Sequence, residues 1–256
     1  MARSGSSALF ELIKNSCDVG SLAYFEPTLE TIKMQVLPRC KEDSRTIVKA
    51  ILRPYLKYEK NLKGVFSKTI GLTRDPRDNL ISRLLFRLIS EKFKQNPHIY
   101  EKILPILEQK ISFPESVSVV QIFRIMEGSG LMENMIDNRV EENLALFMDW
   151  HDRNPASFIF SYENFILNNF NELCEYLNLS LCIDKNLKVV RPEIKREGKF
   201  GGWKNWFTNE DINFFRPRME KFLKRYEYTD DWNLSDYKVI KPETTINYVK
   251  KYARIA

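Results

Sequence analysis

The sequence predicts an α/β protein built on a parallel sheet, and three observations support this prediction. Apolar stretches suited to buried strands recur along the chain, at residues 20–25, 45–51, 65–73 and 157–162. The third stretch runs straight into a helix on which Leu80, Leu84 and Leu88 share one face, as expected for a helix that packs on a sheet. The length of 256 residues and the 43% hydrophobic fraction suit one large domain with a real core. We therefore expect residues 1–256 to form a single domain.

The net charge of +6 is compatible with a small anionic ligand. Lysine and arginine are mixed with aspartate and glutamate along the chain instead of forming long basic runs. Because a nucleic-acid surface requires clustered positive charge, we expect no nucleic-acid partner. No apolar run approaches the length of about 20 residues that crosses a bilayer, so the sequence predicts no membrane span.

The cysteines and histidines do not form a metal-binding pattern. No two of the four cysteines make a CxxC pair, and the only histidines are His98 and His151. We therefore expect no metal site. Reduced cysteines in a cytoplasmic protein are the expected state for this composition.

The first ten residues, MARSGSSALF, have the layout of an anion-binding turn. A small polar turn from Arg3 to Ser7 leads into apolar residues spaced for a helix. A glycine lets successive backbone N–H groups point inward, the helix start adds donors and a positive dipole end, and Arg3 adds a full charge. An ordinary capped loop explains the same ten residues equally well. The stretch lacks the GxxxxGK[ST] spacing and the lysine of a Walker A loop.

A second candidate anion site follows the strand that ends at Thr73. Arg74 lies at the end of this strand, and Asp75 and Pro76 have the residue types of a helix cap and a first helical residue. Ser82 falls about two turns into that helix. Ligands bind at the carboxyl ends of strands in open parallel sheets, so a phosphate there could be held by Arg74 and Ser82.

Glu26 is the carboxylate that the sequence places at the end of the first short strand. The following Pro27 favours an extended backbone at Glu26, which holds this residue outside a helix. A carboxylate in this position could reach the mouth of the anion loop. A surface glutamate before a turn is the alternative, and the local sequence alone favours it.

Three motifs, in order, resemble the sulfotransferase family that uses 3′-phosphoadenosine 5′-phosphosulfate (PAPS). They are RSGSS at residues 3–7, RDPRDNLIS at 74–82 and REGKFGGWKNWFT at 196–208. FIFSYENFI at 158–166 is similar to the family's strand followed by tyrosine and glutamate. The resemblance implies a three-layer sandwich with a central parallel sheet, the P-loop NTPase-like sulfotransferase fold. It also implies that residues 91–138 are a variable helical region that binds the acceptor.

The resemblance implies a PAPS site residue by residue. The loop around the 5′-phosphosulfate corresponds to Arg3, Ser4, Gly5, Ser6, Ser7 and Ala8. The residues on the 3′-phosphate correspond to Arg74, Ser82, Arg196 and Gly198. Tyr162 corresponds to a residue that contacts the adenine, although a packing tyrosine fits the local sequence equally well. Glu197 replaces the family's lysine, and we expect Lys199 to compensate for it.

The implied reaction transfers the sulfuryl group of PAPS to an acceptor hydroxyl without a metal. Carbohydrate-modifying members place a glutamate, often followed by proline, about one helix and one short strand after the loop, so Glu26 is assigned as the general base. Cytosolic members use a histidine shortly after a strand lysine; Lys49 corresponds to the lysine, but Ile51 stands where the histidine would fall. Arg3 and Lys49 complete the catalytic set. The pattern favours a glycan hydroxyl, with a lipid or another small alcohol as the remaining acceptors.

The start of the chain departs from this family. Family members have a buried central strand that feeds into the loop, yet only Met1 and Ala2 precede Arg3, so the first central strand is expected to be missing or truncated. Omitting it would expose neighbouring strand edges and apolar surface. We therefore expect this 256-residue chain to be poorly stable, and we expect the residues encoded just upstream to restore its stability.

Two other classes of function remain open on the sequence. A nucleotide-binding but inactive sulfotransferase relative is suggested by the short start and by Glu197. A P-loop phosphotransferase is the second alternative, and the missing Walker lysine argues against it. The sequence leaves the identity of the acceptor, the oligomeric state and the role of the tail at 226–256 open.

Overall fold

The chain is a mixed α/β protein, mostly helical, with short parallel strands in two small sheets. The computed structural model describes residues 5–17, 21–40, 46–62, 64–131, 135–181, 198–229 and 231–255. It divides into two compact units, Met1–Arg74 with Leu146–Pro192 and Asp75–Ala145 with Glu193–Ala256. Within the described ranges, no helix combines the length and the apolar character needed to cross a membrane.

Each of the two sheets is a pair of parallel strands, and both pairs belong to the first unit. In one sheet, β1 (Leu22–Phe25) pairs with β2 (Thr46–Lys49), with Phe25 opposite Lys49. In the other, β3 (Ile70–Thr73) pairs with β4 (Phe158–Ser161), with Thr73 opposite Ser161. The four predicted strands are confirmed, each somewhat shorter than the apolar stretch that predicted it.

Helices account for most of the described chain. In chain order the α-helices are α1 (Ser6–Ser16), α2 (Leu29–Thr31), α3 (Leu37–Cys40), α4 (Leu52–Tyr55), α5 (Glu59–Leu62), α6 (Pro76–Leu88), α7 (Glu91–Lys94), α8 (His98–Ser112), α9 (Val119–Gly128), α10 (Val140–Arg153), α11 (Tyr162–Ile166), α12 (Asn171–Leu177), α13 (Trp203–Trp206), α14 (Asn209–Arg225) and α15 (Ile246–Ala253). Two π-helical segments, Ile32–Val36 and Met135–Arg139, run directly into α3 and α10, and Pro242–Thr244 form a 3₁₀ turn.

Helix α1 forms the link between the two strand pairs of the first unit. Its buried Leu9 and Leu12 belong to one core cluster with Leu72 of β3 and Phe160 of β4. Its Phe10 ring meets the ring of Phe25, at the end of β1, edge to face at 5.6 Å between centroids. Burial of each of the three side chains that α1 contributes stabilises the fold by about 1.5–3 kcal/mol, so these contacts fix α1 against both sheets.

Helix α6 is the first helix of the second unit, and it begins at the residue that the sequence predicts. Asp75 caps α6 by accepting a hydrogen bond from the backbone N–H of Arg77, and Pro76 is the first helical residue. The predicted apolar face is buried, since Leu80, Leu84 and Leu88 are almost entirely shielded from solvent. Both predictions are confirmed.

Asp211 joins two helices of the second unit. As the third residue of α14 it completes a capping box with Thr208. Its carboxylate also accepts hydrogen bonds from the backbone N–H groups of Val119 and Val120, the first two residues of α9. One buried carboxylate therefore caps two helix starts, and α9 and α14 are held together by it.

Candidate functional site

The amino-terminal turn of α1 is the first part of the candidate site. Gly5 precedes the helix with φ of 82°, in the left-handed region that glycine tolerates best, and it carries no side chain that would occupy the turn. The N–H of Leu9 donates to the carbonyl of Gly5 at 3.0 Å and starts the helical ladder. Helix geometry leaves the N–H groups of the first turn without acceptors inside the helix, and the dipole adds partial positive charge. Such a turn has the donors that an anion requires. Arg3 and Ser4 lie outside the described residues.

Tyr162 lies against Gly5 and carries the guanidinium of Arg74 on its ring. A Cβ atom built on Gly5 would be 2.7 Å from Cδ2 of Tyr162, closer than any real contact. The guanidinium carbon of Arg74 is 4.2 Å from the centroid of the same ring, within cation–π distance. The three residues come from three separate motifs of the sequence, and the structure brings them together.

The register of β3 and β4 explains why Arg74 and Tyr162 meet. Thr73 and Ser161 are opposite each other at the ends of the two strands. Arg74 directly follows β3, and Tyr162 directly follows β4. Parallel strands bring equivalent positions to the same edge of a sheet. Arg74 is 7% exposed, so its charge is held in a largely shielded environment.

Glu26 and Lys49 form an ion pair at the corresponding edge of the other sheet. The backbone N–H of Glu26 donates to the carbonyl of Lys49 at 2.8 Å, which continues the β1–β2 pairing by one residue. Glu26 has φ of 49°, so the extended backbone predicted before Pro27 is wrong and the chain turns sharply there, although Glu26 does lie outside a helix as predicted. The Lys49 ammonium donates to a carboxylate oxygen of Glu26 and lies 4.0 Å from the ring centroid of Phe25.

The exposure of this pair is uneven. The Lys49 side chain is 8% exposed, whereas the Glu26 side chain is 35% exposed and reaches solvent. A carboxylate that solvent and substrate can reach is suited to take up a proton, and a shielded ammonium beside it is suited to stabilise negative charge. The arrangement thus offers a base and a cation side by side.

Helix α1 connects the two clusters of the first unit. Gly5, at its start, contacts Tyr162, and Phe10, one turn and a half further on, contacts Phe25. Phe25, Arg74 and Tyr162 all stand at the carboxyl ends of parallel strands. Ligands of open α/β sheets bind at this edge, so the first unit presents its charged side chains where a ligand is expected.

Ser6, Ser7 and Ala8 are the first three residues of α1 in the first unit, and the remaining predicted site residues that the structure describes belong to the second unit. Ser82 lies on α6 and is buried. Gly198 has φ of 62°, and Lys199 follows it. Arg196, like Glu197, falls outside the described residues. Trp203, Trp206 and Phe207 are buried, so these aromatic residues serve packing.

Asp78 on α6 is a buried carboxylate that sequence reasoning did not single out. Its carboxylate accepts hydrogen bonds from the backbone N–H groups of Gly201 and Trp203, the latter at 2.9 Å. The only signal in the sequence is an acidic residue in the first turn of a helix, which is usual there because of the helix dipole. The pairing with Gly201 spans more than a hundred residues, so no local pattern reveals it.

Comparisons with known proteins leave the function to be argued from the site itself. Family models, curated proteins and solved structures gave no match to this chain. Among the side chains that the structure describes, no group of three or more His, Cys, Asp or Glu is arranged to hold a metal ion. The function must therefore be inferred from the chemistry of the anion turn (Gly5 with the start of α1), the Arg74–Tyr162 stack and the Glu26–Lys49 pair.

Proposed function

We propose that the chain is a PAPS-dependent sulfotransferase that acts on an acceptor hydroxyl, with a glycan hydroxyl as the favoured acceptor. The contact of Gly5, Tyr162 and Arg74 is the observation that supports this proposal most. The motif resemblance assigns all three residues to one nucleotide, and in the first unit they touch one another. If the separate motifs matched the family only by chance, their residues would have no reason to contact one another.

The residues of the first unit fit an anionic ligand with a transferable group. PAPS supplies an activated sulfuryl group and a bisphosphorylated adenosine as its leaving group. The N–H groups at the start of α1 bind phosphate or sulfate oxygens, as helix amino termini do. Arg74 adds a charge that Tyr162 holds in place. The binding roles of all these residues, and those of Arg3, Ser4, Ser82, Arg196, Gly198 and Lys199, stay predictions from the sequence.

The Glu26–Lys49 pair provides the acid–base part of the proposed chemistry. The exposed Glu26 carboxylate takes the proton of the acceptor hydroxyl, which makes that oxygen nucleophilic. Lys49, held against Phe25, stabilises negative charge that grows on the transferring group. No histidine is needed in this scheme, which agrees with Ile51 at the position where cytosolic members carry one.

We also propose the finer architecture that the resemblance implies, a three-layer sandwich around one central parallel sheet. The parallel sense of both strand pairs supports it, and so does the packing of α1 on both. In a crystal structure, hydrogen bonding of the two pairs to a common intervening strand would complete that sheet. Two pairs with no strand between them would contradict the proposal.

The test of function is transfer of label from ³⁵S-PAPS to a panel of glycans, lipids and phenols. Glu26→Gln removes the proposed base but keeps the shape of the side chain, so we expect kcat to fall by about 10²-fold or more while nucleotide affinity is retained. Glu30→Gln is the matched control, because Glu30 is an exposed glutamate in α2. Unchanged turnover in Glu26→Gln would remove Glu26 as the base.

The same assay separates the alternative functions. Binding of 3′-phosphoadenosine 5′-phosphate (PAP) without any transfer would identify an inactive relative. Magnesium-dependent turnover of ATP would identify a phosphotransferase. Transfer to lipids or phenols and not to glycans would keep the reaction and correct the acceptor.

A further inference from the structure

We propose that Asp78 is a positioning residue for nucleotide binding. Its carboxylate anchors the segment at 198–203, which carries Gly198 and Lys199, to the helix that carries Ser82. The inference rests on the proposed function, in which Ser82, Gly198 and Lys199 hold the 3′-phosphate of the nucleotide. Asp78 acts through these residues and does not itself touch the ligand.

Both carboxylate oxygens of Asp78 are used by the same segment. Oδ1 accepts from the N–H of Trp203 at 2.9 Å, and Oδ2 accepts from the N–H of Gly201. Asp78 is 5% exposed, and a buried carboxylate is costly unless its oxygens are hydrogen-bonded. Because the two N–H groups are separated by one residue, they fix the direction of the segment as well as its position.

The segment needs such an anchor because its own backbone is permissive. Gly198 and Gly201 have φ of 62° and 79°, and glycine loses more conformational freedom on ordering than any other residue. Trp203 is fixed by burial and by its ring contacts with Phe207 and Trp232. Asp78 extends this fixed region back to Gly201, towards Lys199.

The position of Asp78 on α6 gives the anchor its relevance to binding. Asp78 and Ser82 are four residues apart in one helix, so they lie on the same face, one turn from each other. The backbone at Gly201 is therefore held against the face that bears Ser82. Loss of this anchor is expected to weaken nucleotide binding and to leave the rate of transfer to the acceptor unchanged.

The variant that tests this inference is Asp78→Asn. The side-chain nitrogen of asparagine cannot accept a hydrogen bond, so one of the two backbone N–H groups loses its acceptor. We expect the Kd for PAP to rise about 10-fold, as for loss of a hydrogen bond to a charged group, with kcat at saturating PAPS within about threefold of the parent value. The KM of the acceptor should not change. Asp236→Asn, at an exposed aspartate of the same unit, is the matched control and should leave all three constants unchanged.

Hydrogen exchange of the unsubstituted protein gives a second readout that does not depend on a folded variant. PAP should slow exchange at the amides of Gly201 and Trp203, since an occupied site holds the anchored segment in place. Unchanged exchange at these amides would overturn the inference, and so would an unchanged PAP affinity in folded Asp78→Asn. If the unsubstituted protein binds no PAP, the proposed function fails and this inference falls with it, an outcome distinct from equal binding by parent and variant.

Discussion

Gly5 meets two separate demands at one position of the chain. Its φ of 82° is one that side chains other than glycine adopt at a cost, and its α-carbon faces the ring of Tyr162. A larger residue would therefore strain the backbone and push the ring that supports Arg74. The anion turn and the Arg74–Tyr162 stack depend on each other through this one glycine.

We predict that Gly5→Ala destabilises the protein by about 1–2 kcal/mol from backbone strain, with a further loss from the clash with Tyr162. Urea denaturation at neutral pH measures the change in the free energy of unfolding. Gly64→Ala separates the two causes, because Gly64 has φ of 76° and none of the described atoms lies within 4 Å of the position that an alanine methyl group would take there. Equal losses in the two variants would show that the Tyr162 contact has no energetic effect.

Local sequence signals predict where helices begin, but they do not predict which distant residues meet. Asp75 and Pro76 predict the start of α6, and Thr208 with Asp211 predicts the start of α14, because capping depends on residues within one turn. The pairings at the candidate site join distant parts of the chain. Glu26 with Lys49, and Arg74 with Tyr162, follow from strand register, which the sequence does not state. The sequence identifies these four residues individually as candidates, but it reveals neither their contacts nor the pairing of Asp78 with Gly201.

Lys110 links the last turns of α8 to the segment that follows this helix. Its buried ammonium donates to the carbonyls of Pro114 and Val117, both at 2.5 Å, and so closes the connection from α8 to α9. Burial lowers the pKa of Lys110 to about 8, and Asp211 opposes that shift. The neighbouring charged groups are Asp211, Lys238 and Glu115.

We predict that Lys110 makes the protein more stable as the pH rises from about 8 to 10. In this range the unfolded chain keeps the lysine proton and the folded chain releases it, so the free energy of unfolding gains up to about 1.4 kcal/mol per pH unit. Above pH 10 the buried Tyr100, whose pKa is raised to about 12 by burial, opposes this trend. Urea denaturation at pH 8, 9 and 10 measures the slope.

Lys110→Met should lose this slope, whatever its absolute stability. Lys102→Met is the control, since Lys102 is an exposed lysine of the same helix and should keep the slope of the parent. If Lys110→Met and the parent gained stability equally between pH 8 and 10, the buried lysine would not be the source of the pH dependence.

At the scale of the whole molecule, the two units alternate along the chain. The first unit takes its strands β1 to β3 from the segment before Asp75 and its strand β4 from the segment after Ala145. The second unit is likewise assembled from two separate segments. Neither unit is one continuous segment of the chain, because a segment of the other unit lies between its two parts.

We predict that the fragment 1–145 does not fold cooperatively, because β3 lacks β4 and the second unit lacks α14. Addition of the complementary fragment 146–256 should restore a cooperative urea transition, followed by circular dichroism. A sharp transition in the fragment 1–145 alone would contradict the division into units that each consist of two separate chain segments.

The pairing of β3 with β4 also has a consequence for synthesis. A ribosome makes the chain from its amino terminus, so β3 emerges well before the strand that completes its sheet. Until then the nascent polypeptide carries an unpaired strand edge beside the apolar side chain of Leu72, which is the kind of surface that chaperones bind and that aggregates grow from. Slower translation through residues 75–157 would lengthen that exposure, and the yield of native protein should fall with it.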